Sequence, residues 1–359
     1  MFKMQFRLYL YEVISGRKHG PLAAGVRGVL RFLSMLYALV IRIWLAAYDR
    51  RFLPVKELGK PAVSVGNITW GGVGKTPFVE WLARYFLECK VRPAILTRGY
   101  MPSQGGRALF SGSDEARMLQ KKFPDMPVVA GRDRRKGARE ILSQRAVDVF
   151  ILDDGFQHRG VKRDLDIVLI DTTNPFGNRF LLPRGSLREP LSSLRRADVF
   201  VLTKTDQTPG VLDVLKDQLK TWNPSAIFVE TIHQPVSFSA SRSGMALADI
   251  KGHPVCLVSG IGDPGSFEKM VVGLGALVRD TKFFPDHHCF SAGDVEDILQ
   301  SCQTQGIRVI IMTAKDAVKW PEDFECSSSG LKVLVLNMDI KITKGKEALL
   351  ARLRTLRCC

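Results

Sequence analysis

The chain has 359 residues, enough to bury a sizeable core, and its 45% hydrophobic and 25% charged content is that of a folded protein rather than a disordered one. Fifty-two Lys plus Arg against 36 Asp plus Glu give a formal charge of +16, which points to polyanionic partners: nucleic acid, an anionic membrane surface or phosphorylated substrates. Seven cysteines, at 89, 256, 289, 302, 326, 358 and 359, form no C-x-x-C pair and no metal spacing, which excludes a thiolate metal cluster and fits reduced thiols in a cytosol-like compartment.

Residues 1–48 hold seven Lys/Arg and one acidic residue, Glu12. The apolar run 26–48 carries Arg27, Arg31 and Arg42. At 100° per residue these fall with Ser34 and Ala38 in a stripe roughly 80° wide, and Leu30, Leu33, Leu36, Leu39, Ile43 and Trp44 fill the rest. A narrow basic seam on a broad apolar cylinder suits a helix lying in a membrane interface with its arginines at lipid phosphates. Spanning is disfavoured because central arginines are costly in hydrocarbon. A core helix with a solvated seam and an organelle-targeting segment are the alternatives.

A short strand at 61–65 leads into Val65-Gly66-Asn67-Ile68-Thr69-Trp70-Gly71-Gly72-Val73-Gly74-Lys75-Thr76-Pro77-Phe78, and an apolar-periodic helix follows. Strand, Gly-rich loop and helix make a phosphate cradle. Backbone N–H groups of Gly71, Gly72 and Gly74 can approach an anion, and the helix start adds partial positive charge. Lys75 is placed to reach the β/γ-phosphates and Thr76 to hold Mg²⁺. The strict pattern wants Gly where Thr69 stands.

Further strands are expected at 93–97, 147–152, 166–170 and 198–202, with helical segments such as 132–145 between them. Continuous apolar strands separated by helices predict a doubly wound parallel sheet whose binding crevice lies at the carboxyl ends of its strands. There Leu152 is followed by Asp153-Asp154-Gly155-Phe156-Gln157-His158. Paired carboxylates ending a buried strand beside a phosphate loop suit Mg²⁺. Asp114-Glu115 begins a helix and, by spacing alone, reads as a cap. Leu182-Pro183-Arg184-Gly185-Ser186-Leu187-Arg188-Glu189-Pro190 reads as a stiff loop. Thr203-Lys204-Thr205-Asp206 resembles the Asn-Lys-x-Asp base reader of G proteins, and a solvated turn accounts for it equally.

A shift towards Ser, Thr, Pro and Gln over 221–242 marks a hinge. A second α/β unit then has strands at 254–258, 307–312 and 331–336 and helices at 266–273, 293–305 and 347–356. It contains Ser259-Gly260-Ile261-Gly262, Phe284-Pro285-Asp286-His287-His288 and Thr313-Ala314-Lys315-Asp316-Ala317-Val318. Adjacent histidines face opposite sides of a strand, so at most one of His287 and His288 points into a site.

Taken jointly and in order, the phosphate loop with its Thr69, Thr97-Arg98-Gly99-Tyr100, Asp114-Glu115-Ala116, Asp153 to His158, Leu187-Arg188-Glu189-Pro190 and the three motifs of the second unit resemble the tetraacyldisaccharide 4′-kinases of lipid A synthesis. The resemblance covers about residues 55–320. It implies ATP- and Mg²⁺-dependent phosphorylation of the 4′-hydroxyl of an acylated glucosamine disaccharide 1-phosphate, and two α/β/α domains joined by a two-stranded linker. By position, Asp114 resembles the general base and His287 its partner from the other domain. Lys75 and Thr76 handle phosphates and Mg²⁺, Asp153 and Asp154 complete the metal site, and Glu115, His158, Arg188 and Glu189 resemble secondary nucleotide-site residues. Arg184-Gly185-Ser186 and Ala314 depart from the family pattern.

The expected architecture is therefore α/β. It comprises a basic amphipathic helix region at 1–50, a P-loop catalytic domain at 51–225, a linker at 226–245 and a smaller α/β domain at 246–359. The expected partners are the lipid substrate and an anionic, cytosol-facing membrane, with the protein a monomer. A mitochondrion or other organelle is the alternative site. Nucleic acid is not expected, because no recognition module or basic and aromatic alternation is present. The rival function is a membrane-associated P-loop ATPase or GTPase without a lipid acceptor.

Overall fold

Residues 13–14, 18–98, 114–240, 245–285, 288–321 and 331–356 are described by a computed structural model. Helix α1 (Pro21–Asp49) opens with proline in its first turn and runs along the surface of the body. Part of its polar face is turned inward. Ser34 is buried and donates to the Leu181 carbonyl at 2.8 Å, and the Tyr37 hydroxyl donates to the Arg188 carbonyl at 2.8 Å. The Arg31 guanidinium lies over the Phe180 ring at 5.9 Å. Of the seam, Ser34 answers to the protein, while Arg31 and Arg42 are exposed. Facing out are Leu22, Val29, Phe32, Leu36, Leu39, Val40 and Ile43. The helix is long and apolar enough to cross a membrane by length and composition.

Behind it lies one sheet ordered β3-β2-β4-β1-β5-β6-β7-β11-β10-β8-β9. Its first half comprises β1 (Ala62–Asn67), β2 (Pro93–Thr97), β3 (Val128–Ala130), β4 (Val149–Asp153), β5 (Leu165–Asp171) and β6 (Val199–Thr203). All pair in parallel, and β1, β2, β4 and β6 are buried along their whole length. Helix α2 (Lys75–Glu88) covers one face, packing Phe78, Val79, Leu82 and Phe86 on Val63, Val65 and Ile151. Helix α4 (Arg134–Gln144), capped by the Asp133 carboxylate, covers the other with Ala138 and Ile141 against Ala94, Leu96 and Phe150. Between them in the chain lies α3 (Asp114–Lys122). The chain leaves β1 towards β2–β4 on one side and β5–β6 on the other, so the switch point of the sheet falls at the carboxyl end of β1.

After α5 (Leu212–Lys220) the segment whose composition marks a hinge is a fourteen-residue strand, β7 (Ile227–Ala240), one member of a two-stranded ribbon of the kind the resemblance implies. It pairs in parallel with β6 through Ile227 to Glu230, then antiparallel with β11 (Lys332–Lys344) over most of its length. Its Ser, Thr and Gln residues read as loop because this ribbon is partly solvated and needs no continuous apolar run. The remainder follows the expected order: β8 (Pro254–Ser259), α6 (Pro264–Gly273), α7 (Ala292–Thr304), β10 (Val309–Thr313) and α9 (Lys346–Arg354), with a short helix α8 (Ala314–Ala317) where the sequence reads as a loop after β10. Strand β9 (Leu277–Phe283) had no signal in the sequence, since it is a partly exposed edge carrying Arg279, Asp280 and Lys282.

One glycine sets the spacing of the site. A Cβ on Gly66 would stand 2.6 Å from the Phe156 Cβ and 2.8 Å from its backbone nitrogen. The turn after β4 thus lies directly on β1. Gly66→Ala is expected to cost about 2 kcal/mol through this overpacking, read as a lower urea midpoint at unchanged slope.

Candidate active site

The phosphate loop is braced from beneath by a residue at the end of β1. Asn67 is fully buried; its Nδ2 donates to the Thr69 carbonyl at 2.6 Å, and its Oδ1 accepts from Lys75 Nζ at 2.8 Å. Thr69 is itself bridged to Leu187, the Trp70 N–H donates to the Ser186 carbonyl at 2.6 Å, and the Arg188 N–H donates to the Ile68 carbonyl at 2.8 Å. The stiff loop expected around Pro183–Pro190 therefore lies alongside the glycine loop. The departing Gly185 is required here, because a Cβ would meet the Phe180 carbonyl oxygen at 2.2 Å.

Gly71 and Gly74 adopt positive φ, +132° and +86°, and added Cβ atoms at Gly71 and Gly72 would meet nothing within 4 Å. The mouth of the loop is open. Helix α2 begins at Lys75, earlier than its apolar pattern suggested, with Gly74 as its cap. It has no side-chain cap and no acid in its first turn, so its leading N–H groups face outward to receive an anion.

Beyond Lys75 the site is a charge cluster at the end of β4. Asp154 has φ +52° and accepts a two-pronged Arg188 guanidinium at 2.7 and 3.0 Å, with Lys75 Nζ at 3.4 Å. Burial pushes this carboxyl up, but Lys75 and Arg188 outweigh it and hold the group well below the ordinary carboxylate range. Asp153 is buried and accepts from the Thr97 hydroxyl at 3.2 Å. Buried Arg134 donates to the carbonyls of both aspartates, at 3.2 Å to that of Asp154. Thr76 is half-buried in the first turn of α2.

A cavity of about 320 Å³ opens beside this cluster, lined by Arg98, Arg132, Arg134, Arg188, Asp154 and His158. Burial, then the charges of Arg134 and Arg163, push the His158 imidazole down to about 4, so it is neutral at pH 7. Arg132 and His158 are shared with a second cavity of about 520 Å³ that reaches Trp44 and Tyr48 on α1. Positive charge thus continues from the loop to the apolar helix. The sequence reading missed Asn67, Arg98, Arg132 and Arg134 as site residues. The signal for the last two was a basic run just after a strand end, hidden because β3 is only three residues long.

The expected residues divide. Lys75, Thr76, Asp153, Asp154, His158 and Arg188 gather at the ends of β1 and β4. Glu189 does not line the cavity with Asp154, His158 and Arg188: it is 0% exposed and paired with Arg196 at 2.8 Å. Asp114 and Glu115 begin α3, but their side chains, like all of His287, lie outside the described residues. Neighbouring His288 has its Nε2 3.1 Å from the Asp294 carboxylate.

Thr76, Asp153 and Asp154 offer oxygen donors only. No cluster of three His, Cys, Asp or Glu side chains suited to a metal occurs among the described residues. Two carboxylates and a hydroxyl beside a phosphate loop fit a Mg²⁺ ion that completes its shell from nucleotide oxygens and water, not a self-contained metal cage.

Residues 26–356 match the family model for LpxK, tetraacyldisaccharide-1-P 4′-kinase. The chain is 35% identical over 348 residues to the tetraacyldisaccharide 4′-kinase of Anaeromyxobacter dehalogenans, covering 93% of this chain and 92% of that protein. It is 36% identical over 314 residues to that of Syntrophus aciditrophicus, covering 81% and 83%. Among solved structures, LpxK from Aquifex aeolicus in complex with ATP is similar at a TM-score of 0.71 and 31% identity, covering 92% of this chain and 99% of that one.

Proposed function

The chain belongs to the tetraacyldisaccharide-1-P 4′-kinase family, and from that premise we propose that it moves the γ-phosphoryl group of ATP to the 4′-hydroxyl of a tetraacylated glucosamine disaccharide 1-phosphate, a step of lipid A biosynthesis. One observation carries the reading. At Asp154 the phosphate loop, through Lys75, meets a basic cavity, through Arg188, and the cavity continues to a helix with an exposed apolar face.

Phosphoryl transfer asks a protein for charge neutralisation and in-line placement more than for covalent chemistry. The N–H groups of Gly71, Gly72 and Gly74 and the start of α2 cradle the β- and γ-phosphates, and Lys75 draws charge from the oxygens between them. Thr76, Asp153 and Asp154 would hold Mg²⁺, which when bound neutralises the phosphate oxygens. Arg98, Arg132, Arg134 and Arg188 face the anionic head of the acceptor, and neutral His158 offers it a hydrogen bond. Asp114 takes the proton of the 4′-hydroxyl as that oxygen bonds to phosphorus and the bond to the ADP oxygen breaks. His287 orients Asp114 from the second unit, and Glu115 supports it. With units 51–225 and 246–359 acting as domains across the linker 226–245, closure would complete the site only with both substrates aboard. The apolar face of α1 seats the protein on an anionic, cytosol-facing membrane, where its lipid substrate resides.

Purified protein incubated with γ-labelled ATP and a tetraacyl disaccharide 1-phosphate is expected to place label on the lipid. Free phosphate accumulating with no labelled lipid would overturn the kinase reading in favour of an ATPase.

A further inference from the structure

The motif Thr203-Lys204-Thr205-Asp206 is not a solvated turn. Lys204 lies at the carboxyl end of β6 with φ +59° and only 3% of its side chain exposed. Its ammonium meets two carboxylates, Asp171 at 2.7 Å and Asp263 at 2.6 Å. Asp171 ends β5 in the same half of the sheet. Asp263 belongs to the other half, where it follows Ser259-Gly260-Ile261-Gly262 and caps α6 by accepting from the Ser266 N–H at 3.1 Å.

The residue before Lys204 is fastened to the phosphate loop. The Thr203 hydroxyl donates to the Val73 carbonyl at 3.2 Å, and the Thr172 hydroxyl clamps the carbonyls of Thr203 and Lys204 at 3.0 Å each. The same loop is met from β7, the strand that joins the two halves: a Cβ on Gly74 would lie 2.6 Å from His233 Nε2. Gly74 is therefore glycine for a second reason besides its positive φ. Among the described residues the buried His233 Nε2 has no hydrogen-bond partner.

We propose that Lys204 is a positioning residue for phosphoryl transfer, an ionic tie that holds the second α/β unit, through Asp263, in register with the glycine loop, through Thr203 and Val73. Two anions around one buried cation make a directional link that hydrophobic packing across a hinge ribbon would not supply, because apolar contacts slide at little cost while a buried ammonium held by two carboxylates, Asp171 nearly buried and Asp263 42% exposed, has one good geometry. The role rests on the kinase reading for its consequence in catalysis, but not for the tie itself.

Asp263→Asn tests it, since asparagine still caps α6 and only the charge is lost. In the labelled-lipid assay kcat is expected to fall about ten- to a hundredfold through misplacement of the second unit, while the dissociation constant for ATP stays within about threefold. Amide exchange of residues 70–76 in the nucleotide-free protein is expected to quicken although the substitution lies in the other half of the sheet. Exchange that quickens only in α6, or ATP affinity that falls as much as kcat, makes Asp263 a local structural residue and overturns the proposal. If wild-type protein labels no lipid the kinase reading fails, and the exchange of the loop still decides the tie.

Discussion

Lys75→Met is expected to lower the rate of phosphoryl transfer about a thousandfold, some 4 kcal/mol of transition-state stabilisation, measured as kcat with labelled ATP. Methionine keeps the apolar stem and removes only the ammonium, which in the structure is aimed by Asn67 and Asp154 at the mouth of the loop. A side effect follows on Asp154. Its folded pKa lies below the ordinary carboxylate value, so the stability it contributes is complete above that ordinary value and is lost as pH falls towards the folded one. Without Lys75 the folded pKa rises, and the acid-dependent part of the stability shrinks. Acid titration of unfolding is expected to show a flatter profile for the variant below about pH 4. Transfer kept within tenfold of wild type would show that Lys75 does not bear on the γ-phosphate.

Phe32→Glu/Val40→Glu is expected to reduce partitioning onto anionic vesicles about a hundredfold, since each apolar side chain contributes roughly 1.5–3 kcal/mol when buried and a new carboxylate is repelled by anionic lipid. Both positions lie on the outward face of α1, 61% and 65% exposed. The inward contacts of Ser34 and Tyr37 are untouched, so the fold and ATP binding should persist. Deleting 1–50 tests the same idea more coarsely but removes those contacts as well. Co-sedimentation unchanged in the double variant would sink the membrane role of this face.

How much of this was legible beforehand varied with physical cause. The strands at 93–97 and 254–258 are close to their expected bounds because continuous apolar runs between turn residues have few other uses. The residue pattern of β7 read only as a hinge, and a paired strand there came from the family resemblance, since about a third of its described residues are exposed and its partner β11 lies almost a hundred positions away along the chain. Within the site, glycine spacing and the Asp153–Asp154 pair advertised themselves locally. Arg134 did not: its guanidinium matters only because α4 carries it to the carbonyls at the end of β4. Nor was the pairing of Glu189 legible, since its neighbour Arg188 turns to Asp154 while Glu189 turns to Arg196.

The sequence by itself determined a phosphate loop between strand and helix, a parallel α/β sheet, paired carboxylates at a strand end, and a motif order that belongs to one kinase family. These are properties of short spacing and period, set within a few residues. Tertiary structure alone decided that Ser34 and Tyr37 of α1 face the body, that four arginines from three segments share one cavity, and that Lys204 is buried between carboxylates from two halves of the sheet. Each depends on which distant segments the topology brings together, and desolvated charge takes its meaning from those neighbours rather than from its place in the chain.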